Sequence, residues 1–101
     1  MKGEKLFEVE KVLLTYENIK EAAVIGVDDS RWGEVGHAFI VTKNNKEFSI
    51  EIISEYCEQY LAKYKIPKYF TFLGELPLNS ASKIDKRKLL EIHIEQIQNN
   101  T

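Results

Sequence analysis

Lys83 is the residue whose setting points most directly to chemistry; it lies in Leu76-Pro77-Leu78-Asn79-Ser80-Ala81-Ser82-Lys83-Ile84-Asp85-Lys86-Arg87-Lys88-Leu89. Three small residues precede it, so the loop could approach another surface closely, and a flexible stem ending in an ammonium reaches a phosphate as a point charge. By residue type alone a solvated surface lysine is the ordinary reading, and the spacing does not overturn it. Other inventories are empty. There is no G-x-x-x-x-G-K-[ST], G-x-G-x-x-G or G-x-S-x-G stretch, so autonomous nucleotide binding and serine hydrolysis lack support. His37 and His93 lie far apart without His or Cys partners at metal-ligand spacing; ordinary surface histidines and no metal are expected. Cys57, the single cysteine, falls at an apolar helical position and reads as a small buried hydrophobe rather than a nucleophile. The carboxylates are scattered, none pairs as acid and base, and they read as solubilising charge.

The elements that must position Lys83 follow from periodicity. Val9, Val12, Leu13 and Tyr16 keep helical spacing and predict a helix over about 8–16. Ala22 to Val27 is a short apolar run bounded by Asp28-Asp29-Ser30 and predicts a buried strand; a loop through Trp32-Gly33-Glu34 leads to a second strand over Ala38–Thr42, closed by Lys43-Asn44-Asn45-Lys46. Ser49 is placed to cap a helix from Ile50 to about Ala62, with Ile50, Ile53, Cys57, Tyr60, Leu61 and Tyr64 on one face. Tyr69–Leu73 has strand composition, Leu78–Ile84 reads as loop, and Asp85 can cap a last helix facing inward through Leu89 and Ile92. The order α-β-β-α-β-α implies an α+β fold, a small sheet of about three strands flanked by helices. Residues 1–95 read as one domain and 96–101 as a polar tail expected to fray.

Composition bounds the function. The 101 residues with 44% apolar content suffice for one small core, too little for a large enzyme. A net charge of −2 argues against nucleic-acid binding as a partner class. Charge is nonetheless polarised: residues 61–90 hold seven basic side chains against Glu75 and Asp85, a net of +5. That segment is either a solvated face or one that meets a phosphate-bearing ligand. No apolar stretch approaches the ~18 residues of a membrane span, the N-terminus lacks a signal-peptide core, and a lone cysteine suits a reducing compartment, so a cytoplasmic location is expected.

Four stretches taken together resemble the C-terminal domain of the adenylate-forming enzymes, the superfamily of acyl- and aryl-CoA ligases, nonribosomal-peptide adenylation domains and firefly luciferase. Glu8-Val9-Glu10-Lys11-Val12-Leu13 is similar to E-[IV]-E-x-x-L, and Ala22 to Asp29 with Trp32-Gly33-Glu34 to A-V-x-G-x-x-D-x-x-x-G-E. Leu61-Ala62-Lys63-Tyr64-Lys65-Ile66-Pro67-Lys68 resembles L-x-x-Y-K-[VI]-P, and Leu76 to Leu89 resembles L-P-x-[NT]-x-[SN]-G-K-[IV]-x-[RK]-x-x-L. The four come in order and span nearly the whole chain, with the Tyr64–Lys68 string most like acid:CoA ligases.

The resemblance implies a mobile lid working against a large N-terminal adenylation domain of the same polypeptide. It assigns Lys83 as the catalytic lysine of adenylation, and places Trp32, Gly33, Tyr64 and Lys65 where CoA ligases contact CoA. ATP, CoA and a carboxylic acid would be the full enzyme's substrates, with Mg2+ accompanying ATP chiefly on the large domain. The isolated chain would not turn over alone. The alternative is a free-standing, non-catalytic binding module with the same fold. Two departures carry expectations. Ser82 stands where the family usually has glycine, so a positive φ there would be strained; and the family's hinge would fall upstream of Met1, so the chain reads as a domain excised from a longer polypeptide.

Overall fold

An apolar run without alternation belongs in a strand covered on both faces, and residues 22–27 behave so. The computed structural model describes residues 3–99. It runs α1 (Gly3–Leu14), β1 (Ile19–Asp29), β2 (Gly33–Thr42), a 3-10 turn (Lys43–Asn45), α2 (Ile50–Glu58), a second 3-10 turn (Lys63–Lys65), β3 (Tyr69–Phe72) and α3 (Lys86–Asn99). The α+β order expected from the sequence is the order observed. The sheet has the order β1-β2-β3, with β1 antiparallel to β2 and β3 parallel to β2. A parallel pair needs a crossover, and α2 supplies it.

Alternate residues of the sheet feed two cores. Ala22, Val24, Ala38 and Ile40 pack with Val9 and Leu13 of α1 and with Ile53 and Cys57 of α2. Their neighbours Ala23, Ile25, Val27, Phe39 and Val41 pack with Leu76 and with Leu89 of α3. The result is three layers: α1 and α2, the sheet, then α3. A bulge between Ile19 and Glu21 shifts the alternation, so Ile19 joins the first core with Ala22 and Val24. Cys57 is fully buried there as expected, and burial pushes its thiol up to about 11.

β1 is an edge strand whose outer backbone groups would invite another chain. Glu10 accepts the Val24 N–H at 2.8 Å, and Lys86 donates to the Val24 carbonyl at 3.1 Å while pairing with Glu10, also at 3.1 Å. One ion pair thus seals part of the edge and joins α1, β1 and α3. Glu10 is therefore not merely a solubilising charge.

Helix ends moved where the last turn tightens or periodicity runs past it. α1 ends at Leu14, where Thr15 and Tyr16 close 3-10-type bonds onto Val12 and Leu13. Its partly buried Tyr16 still packs on the first core. α2 stops at Glu58 rather than Ala62: Gln59 and Tyr60 bond to the carbonyls three residues back, Tyr56 and Cys57, and Ala62 is extended at φ −61°, ψ 148°. Ser49 caps α2 by accepting from Ile52, and Asp85 caps α3 by accepting from Lys88. α3 continues to Asn99, so residues 96–99, read as tail from their polarity, are helical; Gln96 is held by the Thr71 hydroxyl at 3.2 Å. Residues 100–101 lie outside the described chain. No helix among the described residues is long and apolar enough to cross a membrane.

Candidate functional site

The segment between β1 and β2, expected as a loop, is a tight hairpin built on Asp29. Its Oδ1 accepts the N–H groups of Arg31 and Trp32 at 2.8 and 2.9 Å, and Gly33 takes φ +78° to start β2. Its Oδ2 accepts the Tyr69 hydroxyl of β3 at 2.8 Å. These bonds, the Tyr69 one first, hold the Asp29 carboxyl below the usual carboxylate range, and the same bond holds the Tyr69 phenol above its usual value.

At the hairpin tip the Trp32 ring stands 57% exposed. The Lys68 ammonium lies 4.6 Å from its centroid and the Arg31 guanidinium 5.4 Å. Tyr64, 69% exposed, comes from the 3-10 turn before β3. Trp32 and Tyr64 line one open groove of about 690 Å³ with Glu34, Val35, Lys63, Ile66 and Lys68. Aromatic faces, an aliphatic floor and clustered cations form a surface suited to an anionic ligand with an apolar portion. Gly33 shapes the turn without being a wall of the groove. Lys65 is not among the lining residues; its ammonium is 3.1 Å from Glu8 of α1 and 5.8 Å from the Tyr64 ring centroid.

Lys83 sits in a second hairpin-like loop, closed by a bridge between Leu78 and Ile84, and is not among the residues lining the groove. Asn79 organises this loop. Its Oδ1 accepts from Ala81 at 2.9 Å and from Lys83 at 3.1 Å, its N–H donates to the Lys83 carbonyl at 2.8 Å, and its carbonyl accepts from Ser82 at 2.9 Å. Lys83 itself is exposed. Ser82 takes φ +60°, the left-handed conformation whose strain was expected for a serine here.

The comparison with known families decides the lineage. The family model for the AMP-binding enzyme C-terminal domain matches residues 8–83, ending on Lys83. The chain belongs to this family. The chain is also similar to the 2-succinylbenzoate–CoA ligase of Bacillus pumilus, 47% identical over 93 residues, 86% of this chain and 18% of that ligase. Among solved structures, o-succinylbenzoate CoA synthetase of Bacillus subtilis with its acyl-adenylate intermediate gives a TM-score of 0.75 at 42% identity, over 83% of this chain and 17% of that one. A fatty acyl CoA synthetase of Mycobacterium tuberculosis gives 0.74 at 42% identity, over 83% and 16%. The chain thus spans less than a fifth of these relatives' length.

For this AMP-binding C-terminal domain, the histidines were misread as surface residues. His37 is 1% exposed, its Nδ1 is 2.8 Å from Nδ1 of the buried His93, and its Nε2 is 2.7 Å from the Thr71 hydroxyl. Thr71 donates its only proton to Gln96, so His37 must donate through Nε2 and accept at Nδ1 from His93. Burial, then the charge of His93, lowers His37 from 6.5 to about 4, and burial also lowers His93. The missed signal was position. His37 is two residues before Phe39 on the strand face toward α3, and His93 is one helical turn after Leu89. Among the described residues no group of three or more His, Cys, Asp or Glu side chains could hold a metal ion.

Proposed function

We propose that this chain acts as the mobile C-terminal lid of an ATP-dependent, AMP-forming acid:CoA ligase. Its large domain would hold ATP and the carboxylic acid and would choose among acids. The supporting observation is the match to the family model, which ends on a lysine carried at an exposed, internally braced loop. In the adenylating orientation the carboxylate attacks the α-phosphorus of ATP, forming acyl-adenylate and releasing pyrophosphate. The Lys83 ammonium would meet the charge that grows on the phosphoryl oxygens, favouring the transition state over bound ATP. Closure of the lid would also exclude water from the hydrolysable adenylate.

In the second orientation the groove of Trp32 and Tyr64 would line the approach of the thiol, which displaces AMP to give the thioester. Lys63 and Lys68 supply cations for CoA phosphates, and Gly33 keeps the turn beneath Trp32. Lys65 contributes a charge only by leaving Glu8. Mg2+ entering with ATP would be held chiefly by the large domain; among the described residues of this one, no group of three or more His, Cys, Asp or Glu side chains could hold an ion.

The test is a fusion carrying this chain in place of the matching domain of the Bacillus pumilus ligase, assayed with 2-succinylbenzoate, ATP and CoA. The fusion should release pyrophosphate and form thioester. Lys83→Ala should lower adenylation about 10²- to 10³-fold while thioester formation from supplied acyl-adenylate changes little. Equal, small losses in both steps would reject the assignment of Lys83.

A further inference from the structure

Trp32 is an exposed ring on a three-residue turn, a placement that by itself leaves an aromatic side chain loose. Three features oppose this. Asp29 uses one carboxylate oxygen to gather the N–H groups of Arg31 and Trp32, and the other to accept the Tyr69 hydroxyl across the sheet. Tyr69 is braced in turn, its ring centroid 5.5 Å from His37 and 5.2 Å from His93. Lys68, the residue before Tyr69, donates its N–H to the Gly36 carbonyl at 2.9 Å and lays its ammonium over Trp32. The tip of the β1–β2 hairpin is thereby tied to the start of β3.

We propose that Asp29, acting through Tyr69, is the positioning residue that holds Trp32 against the groove and so sets the groove's affinity for its thiol substrate. It does this without touching that substrate. The affinity part rests on the reading of the groove as the CoA-facing surface; the clamp does not. An ionised carboxylate suits the task because it accepts on both oxygens at once, and charge-assisted bonds hold a turn more tightly than neutral ones. Pre-setting the ring spares the ligand the cost of ordering it.

Trp32 is the only tryptophan in the chain, so its fluorescence reports the clamp directly. Asp29→Ala removes all three acceptor bonds, Tyr69→Phe only the cross-sheet one, and Asp29→Asn retains an acceptor for the turn. In the 101-residue chain, acrylamide quenching of Trp32 should rise and its anisotropy fall, most for Asp29→Ala and least for Asp29→Asn, with thermal melts confirming that each variant folds. In the fusion, Tyr69→Phe should raise KM for CoA by roughly three- to tenfold, the size expected for one lost hydrogen bond. kcat and the adenylate-forming step should move less than twofold. Unchanged quenching in both Asp29→Ala and Tyr69→Phe overturns the clamp. Looser Trp32 with an unchanged KM, in a fusion whose parent makes thioester, overturns the positioning role. If the parent fusion makes adenylate but no thioester, the reading of the groove is what fails, and quenching still decides the clamp.

Discussion

The turn that presents Trp32 and the loop that presents Lys83 each hang on one short side chain. Asp29 gathers the N–H groups two and three residues on, Asn79 those two and four residues on. They differ in where the second half of that side chain or its backbone goes. Asp29 reaches out of its turn to Tyr69 on β3, whereas Asn79 bonds inside its own loop, to Ala81, Ser82 and Lys83. One turn is therefore fixed relative to the sheet, and the other is shaped within itself and carried as a unit. If the groove binds as proposed, its wall needs the first arrangement, since its partner surface lies on the same body. A lysine that is delivered to a separate body, as proposed for Lys83, would need only the second.

Acid is the strongest lever on this contrast, because the histidine pair lies behind Tyr69 and so behind one turn only. With His37 lowered from 6.5 to about 4, the unfolded chain binds a proton between those values that the folded chain refuses. Stability is then fully present above about pH 6.5 and falls as pH drops towards 4, by about 3 kcal/mol at full titration. Urea unfolding from pH 7 to 4 should register this loss, and His37→Phe should shrink it, leaving the part contributed by His93, which burial also lowers. Amide exchange at Arg31 and Trp32 should accelerate in acid more than at Ala81 and Lys83. Equal acceleration at both turns would break the comparison.

Asn79→Ala is the next largest perturbation, since it removes the acceptor for two backbone donors while leaving the helix cap at Asp85 in place. Adenylation by the fusion should fall about tenfold, with the thioester step nearly untouched and Asn79→Asp restoring most of the loss. A matching loss in the thioester step would mean that the loop is not independent of the groove.

How much of this was legible in the sequence depended on range. Local signals carried far: helical spacing found α1, the Ser49 and Asp85 caps were visible as residue types, and Asn44 and Asn45 in the turn after β2 do take positive φ, 61° and 55°. The stretches from Glu8 to Leu89 carried the family, and two of the residues they singled out, Trp32 and Tyr64, line one groove. What stayed hidden were side chains whose partners lie far along the chain. His37 and His93 are 56 residues apart, Tyr69 and Asp29 40 apart, and Lys86 and Glu10 76 apart. A histidine or a carboxylate alone looks like a solvated group; only the layering of α3 on one sheet face turns the first pair inward. The hairpin was underestimated for a related reason. Asp28, Asp29 and Gly33 disfavour strands, yet the ladder continues through Asp28 opposite Glu34 and Asp29 opposite Gly33 because the turn closes between them.

The smallest expected effects test the backbone itself, at the one residue in each turn that takes a positive φ. Gly33 at +78° adopts it without a Cβ, and Ser82 at +60° adopts it against one. An alanine Cβ at Gly33 would meet no atom within 4 Å, so Gly33→Ala isolates the conformational cost, and urea unfolding should show a loss of about 1 kcal/mol. Ser82→Gly relieves that cost and should gain about 0.5–1 kcal/mol, net of the extra freedom glycine gives the unfolded chain. Because Asn79 already dictates the loop, the same change should alter adenylation by less than twofold. If Ser82→Gly instead lowers stability, the serine is held by more than its backbone, and the Lys83 loop is not the self-contained unit that the Asp29 turn throws into relief.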